Sequence, residues 1–157
     1  MLEFFTWFDQ SLLADMAKAY GGVFVVVQMF HLLALALLGG CVLLADLRLL
    51  GVLMRDVASE VVTANTDRWF DVALVVIVLS GIFMSGAVAM KLYYNEMYWA
   101  KMAGLVIGVV FVYLIRRPLL KNHPHRHVDP WALRALALAS MVTWFSVAAC
   151  GRWIGFS

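Results

Sequence analysis

The sequence predicts an all-α integral membrane fold: a four-transmembrane-helix bundle preceded by an amphipathic surface helix. Three observations carry this. Hydrophobic residues make up 64% of the 157 and charged residues only 14%, with a mean hydropathy of +0.89. Soluble domains run at about 45–50% and about 25%. Four apolar stretches approach the roughly 20 residues that cross a hydrocarbon core. They are continuous rather than alternating, so they read as helices and not as strands. A backbone in lipid must also satisfy its own hydrogen bonds, as a helix does. The chain reads as a single membrane domain over 1–157.

The segment 2–20 comes first. Phe5, Phe8, Leu12 and Met16 recur at helical spacing, interrupted by Glu3, Asp9, Asp15 and Lys18. This predicts an interfacial helix whose anchor is Phe4, Phe5, Trp7 and Phe8. Acidic Glu3 and Asp9 stand where a secretory signal carries basic residues, so no signal is expected. Gly21 and Gly22 are expected to turn the chain into the bilayer. The spans are expected at 23–45, 72–90, 99–115 and 131–156. Short loops make successive helices antiparallel neighbours. Pro118, Pro124 and Pro130 all fall in the third loop, where the chain leaves one helix and enters the next.

Orientation follows from the basic residues. The first and third loops and their flanks hold Arg48, Arg55, Arg68, Arg116, Arg117, Lys121, Arg126 and Arg134. The opposite side holds Lys18, Lys91, Lys101 and Arg152. Eight against four places the first and third loops in the cytoplasm and both termini outside. In a bacterium that means the inner membrane with periplasmic termini. Tyr93, Tyr94, Tyr98 and Trp99 then form an aromatic belt at the outer interface. Cys41 and Cys150 fall in opposite leaflets, too far apart for a disulfide, and read as small packing residues. A net charge of +2 does not point to nucleic acid.

His31 is the one histidine inside a span. It lies eight positions past Val23, about 12 Å below the outer surface at about 1.5 Å per residue. An ionisable group at that depth is a functional candidate. One reading is a neutral ring hydrogen-bonded to Ser80, Ser85 or Gln28. The other is an axial ligand of heme b, with cations near the propionates. Gln28, His31, Lys101, Trp144 and Arg152 gather in the outer half, and Met84 lies near the depth of His31. Lys101 shares a face with Gly104 and Gly108, a small-xxx-small pattern that turns into the bundle; the alternative is that it snorkels to the headgroups. Arg152 is flanked by Gly151 and Gly155 and has the same two readings. No second intramembrane histidine exists, so a bis-histidine heme within one chain is excluded. The sixth ligand would be Met84, Lys101 or a group from a second subunit, or the site would stay five-coordinate. Quinone would also suit the outer cations.

Two further features are weaker. His123, His125 and His127 in HPHRH alternate and could hold a metal, or belong to a solvated basic loop. Asp46, Arg48, Asp67, Arg68 and Asp71 could form an interhelical ion pair at the cytoplasmic end, or be solvated separately. The inner half is expected to hold no counterpart of the outer polar site.

Four motifs carry a resemblance: His31 to Gly40 (H-x7-G-G), DLRLLG from Asp46 to Gly51, NEMYWAK from Asn95 to Lys101, and WFSVAACGRW from Trp144 to Trp153. They resemble an uncharacterised bacterial family of four-helix inner-membrane proteins. More remotely, the plan is similar to the copper-resistance protein D family and to the small membrane protoporphyrinogen oxidases. Those place a histidine in an early helix and an aromatic-x-x-lysine at the start of a later one. In the oxidases the histidine is linked to heme b. Here the matching positions are His31 and Lys101. The further histidines and methionines of the copper family are not evident, and neither are the other oxidase motifs.

The expected function is therefore a membrane redox protein or subunit. It would bind heme b, or quinone, through His31, Lys101, Arg152, Trp144 and Met84, with His31 on the heme iron. Its partners would be the bilayer and other membrane or periplasmic redox subunits, with oligomerisation possible. The alternative is a cofactor-free accessory subunit that docks on a larger membrane complex. A permease ranks third, because the polar residues trace no path across the bundle.

Overall fold

The computed structural model describes residues 1–122 and 129–156. Among these, four helical stretches are long and apolar enough to cross a membrane: Gly21–Leu49, Ser59–Ala87, Glu96–Leu120 and Pro130–Phe156. The elements in chain order are α1 (Leu2–Asp9), α2 (Leu12–Ala19), α3 (Gly21–Leu49), α4 (Ser59–Ala87), α5 (Ala89–Tyr93) and α6 (Glu96–Val110). A π-helical turn, Phe111–Arg116, continues α6 into α7 (Arg117–Asn122), and α8 (Pro130–Trp153) ends in a 3-10 turn. The four spans alternate in direction, so both termini lie at one end. That end is called the terminal end here, and the other the arginine end.

Local chemistry sets the boundaries. Asn95 caps α6 by accepting from Tyr98 N at 3.1 Å. Asp129 caps α8 by accepting from Trp131 N at 2.9 Å, with Pro130 in the first turn, where a missing N–H is harmless. At the other end of α3, Gly51 takes φ +74°. Its N–H bonds Arg48 O and that of Val52 bonds Leu47 O, both at 3.0 Å, which closes the helix as a glycine C-terminal motif.

Three expectations change. The single helix over 2–20 is two helices, because the Ser11 hydroxyl accepts from Ala14 N and starts α2 afresh. Gly21 and Gly22 form the first turn of α3 rather than a bend; the chain turns at Tyr20. The second span begins at Ser59 instead of 72, since the polar run through Asp67, Arg68 and Asp71 is already helical.

The core joins Ala34, Leu38, Cys41 and Val42 of α3 to Phe70, Ala73, Leu74 and Ile77 of α4, with Val112 and Trp144. α3 packs against α4 and α8, and α6 packs against α8. The α6–α8 contact relies on glycine. A Cβ on Gly104 would lie 2.9 Å from Val147 Cγ2, and one on Gly108 3.2 Å from the Trp144 ring. This is the small-residue face expected to turn into the bundle. Many large apolar side chains stay exposed, among them Val25, Val26, Met29, Phe30, Leu32 and Leu33 of α3. In a multi-pass membrane protein that surface meets lipid.

The N-terminal helices dock on the terminal end of the bundle. Ala14 of α2 is fully buried, and a Cβ on Gly86 would approach its Cα to 3.2 Å. Phe5 of α1 is buried against the rings of Tyr93, Trp99 and Tyr98, with centroids 5.3, 5.8 and 6.3 Å away. Lys18 and Asp9, 2.9 Å apart, tie the two helices together.

Candidate functional site

α3 and α4 place the intramembrane histidine. His31 Nδ1 lies 2.7 Å from Ser80 Oγ. The Ser80 hydroxyl also sits 2.5 Å from Val76 O. A hydroxyl has one proton to give. With that proton on the carbonyl, the serine oxygen accepts from His31 Nδ1–H, and in the neutral ring Nε2 is then the unprotonated nitrogen. Of the three partners read from the sequence, Ser80 is the one used. Gly81 lies beside the ring: a Cβ there would be 3.6 Å from His31 Cε1.

Lys101 enters the same region from α6. Its stem lies on Gly151 of α8, with Cδ, Cε and Nζ each 3.5 Å from where a Cβ would be. Its charge is within electrostatic range of His31. The side chain is half-buried. Among the described residues no carboxylate pairs with it; the ion pairs are Lys18–Asp9, Arg116–Asp46 and Arg117 with Asp67 and Asp71. An ammonium without a carboxylate partner among the described residues is a candidate for holding an anionic group.

The other expected members are dispersed. Met84 is half-buried on α4, one turn beyond Ser80. Arg152 is exposed, with its guanidinium 4.6 Å over the Phe156 ring. Trp144 is buried edge-on to Phe70 at 5.2 Å. Phe70 is ten residues before Ser80, about 15 Å along the helix, so the indole packs in the apolar core below the histidine. Gln28 is exposed on a shallow lipid-facing groove with Val25, Met29, Leu32 and Leu33. The candidate site thus narrows to His31, Ser80 and Lys101, with Gly81 and Gly151 as its small walls.

No group of three or more His, Cys, Asp or Glu gathers among the described residues. Cys41 and Cys150 are both free thiols. His123, His125 and His127 lie outside the described residues.

The arginine end holds polar structure that the sequence was not expected to supply. Asp46 and Arg116 form an ion pair at 2.9 Å with side chains 0% and 4% exposed. Arg117, the next residue, turns to α4. Its Nη2 lies 2.6 Å from Asp71 Oδ1 and its Nε 3.4 Å from Asp67 Oδ2. Tyr113 donates to Asp71 at 2.5 Å, and the guanidinium covers the Tyr113 ring at 4.4 Å. Consecutive arginines therefore clamp two different helices. Ion pairing at this end was anticipated for the aspartates, but the arginines come from the third span and not from Arg48 or Arg68. The available signal was the Arg-Arg pair that ends an apolar run.

The model of one protein family, described as a family of unknown function (DUF6644), matches residues 4–157, and the chain belongs to that family. No curated protein and no solved structure matches it.

Proposed function

For this member of the DUF6644 family we propose a redox role: a subunit of the bacterial inner membrane that holds heme b in the terminal half of its bundle and passes electrons. The observation that carries the reading is the 2.7 Å contact of His31 Nδ1 with Ser80 Oγ, whose own proton Val76 O can take. With Nδ1 so engaged, Nε2 is the nitrogen left to ligate. Metal-binding histidines are oriented in the same way, by a hydrogen bond to the nitrogen they do not use.

The residues fit such a group. An imidazole with no donor cluster beside it among the described residues suits iron that arrives with its other ligands in a macrocycle. The half-buried, unpaired Lys101 suits a propionate. Gly81 keeps the flank of the ring clear of a side chain. Heme, when bound, supplies one-electron chemistry at the iron. The chain itself orients the imidazole through Ser80, neutralises an anionic substituent through Lys101, and keeps water out with α1 and α2 docked over the terminal end. By the excess of basic residues, the arginine end faces the cytoplasm and both termini the periplasm.

Iron and pyridine-hemochrome analysis of the protein purified from membranes tests the reading. Stoichiometric heme b is expected. Colourless, iron-free protein that takes up no added heme would overturn it.

A further inference from the structure

Gln28 of α3 is a polar side chain that the single chain leaves unsatisfied within a span. It lies seven residues past Gly21, about 10 Å along the helix at about 1.5 Å per residue. It is exposed among Val25, Met29 and Leu32 and makes no hydrogen bond to another described residue. A carboxamide offers two donors and an acceptor. Lipid tails offer it nothing in return, so another protein surface is what satisfies it. The residues that follow Gln28 say what shape that surface has. Leu32, Ala36 and Gly40 recur every four positions, are all exposed, and continue one ridge from the glutamine. The ridge lies opposite the face that enters the core through Ala34, Leu38, Cys41 and Ala45. A Cβ on Gly40 would meet nothing within 4 Å, whereas Gly86, Gly104 and Gly108 are each packed by another helix of the chain. Ala36 and Gly40 are thus a close-packing pair with no helix against it.

Symmetry selects a second copy. Copies of one chain insert in the same orientation, so a two-fold axis along the membrane normal sets residues of equal depth against each other. Each position of the ridge then meets its own kind. Glutamine is self-complementary in that arrangement, because one amide donates through nitrogen and accepts through oxygen. We propose that the protein pairs with a second copy of itself through this ridge of α3, the two Gln28 amides hydrogen-bonding across the axis and Ala36 and Gly40 letting the backbones close. Two rows of spacing four that interlock give the right-handed crossing of small-xxx-small pairs. His31 is bonded to Ser80 of its own chain, so the pairing does not depend on heme.

Förster transfer between donor- and acceptor-labelled copies of the full chain, reconstituted in liposomes and diluted with lipid, tests this. The wild type is expected to show transfer above the level of random encounters, and unlabelled protein is expected to compete it away. Gln28→Leu is expected to bring half-dissociation to a lipid dilution about 3- to 20-fold lower, the effect of one interhelical hydrogen bond. Gly40→Ile, which props the backbones apart, is expected to shift it in the same direction. Both positions are exposed, so neither change disturbs the packing within one chain. Val106→Leu, on the exposed side of α6, is the control and is expected to leave the curve in place. Transfer at the random level in the wild type, as when lipid or a different protein covers the ridge, would overturn the proposal. So would a curve that Gln28→Leu or Gly40→Ile leaves unmoved.

Discussion

Asp46→Ala removes one half of the most deeply buried ion pair described. It leaves the Arg116 guanidinium, whose side chain is 4% exposed, facing apolar core without its anion. Breaking a buried pair from one side costs about 3–5 kcal/mol, because the surviving charge stays desolvated. In a chain of this size about 1 kcal/mol moves the midpoint by about 2–4 °C, so Tm should fall by about 6–20 °C. Replacing both partners, as in Asp46→Leu with Arg116→Met, removes the stranded charge. That double variant should recover most of the loss, since apolar replacement of a buried pair is often neutral or better. Asp9→Ala is the control: its pair with Lys18 is 40% and 31% exposed on the two sides and is worth at most about 1 kcal/mol. Thermal unfolding in detergent, followed by circular dichroism, of the wild type, Asp46→Leu, Arg116→Met and the double variant supplies all four corners of the cycle. If Asp46→Ala costs no more than Asp9→Ala, or the double variant simply sums the singles, the reasoning fails.

Further expectations concern helix contacts and the histidine. Gly104→Leu drives a side chain into Val147, 2.9 Å from the new Cβ, and should cost about 1–3 kcal/mol; Val147→Ala on the same background should restore part of it in the same unfolding assay. Gly86→Val pushes against the Ala14 backbone, so α2 should lift and tryptic cleavage after Lys18 should accelerate while the four spans stay protected. Unchanged cleavage would mean that α2 is held by something other than this contact. Ser80→Ala frees His31 Nδ1, and heme affinity should drop about 10–100-fold, as when other outer-shell partners of ligating histidines are lost. Titration of the heme-free protein reads this directly, and an unchanged Kd would deny Ser80 its orienting role.

The apolar runs made the membrane bundle legible before any coordinates. Bilayer thickness and backbone hydrogen bonding leave few alternatives for four long hydrophobic stretches. Glycine spacing also revealed which face of α6 turns into the bundle, because close approach needs small residues at that interval; that the partner is α8 came from the structure. Helix ends were less legible. Asp67, Arg68 and Asp71 lay outside the span expected at 72–90, yet they continue α4, since Arg117 and Tyr113 satisfy Asp71 from another helix. That partner is 46 residues away, and no local pattern encodes it. Ser11 is a cap signal that the amphipathic spacing across 2–20 obscured. At the site, depth arithmetic put His31 and Lys101 in the same half, and the lysine charge lies within electrostatic range of the imidazole. It could not resolve azimuth, so Trp144, Arg152 and Gln28 were assigned to the same region although their side chains point elsewhere. The Arg116–Asp46 pair escaped notice because each residue alone reads as an interfacial charge.

The central claim is that His31, oriented by Ser80, ligates heme iron through Nε2. Its most direct measurement is the reduced-minus-oxidised visible spectrum of the purified protein beside that of His31→Ala. The account predicts b-type bands in the wild type that are lost in the variant, while the variant keeps its helical circular dichroism. Bands of equal intensity and position in a folded His31→Ala protein would contradict it.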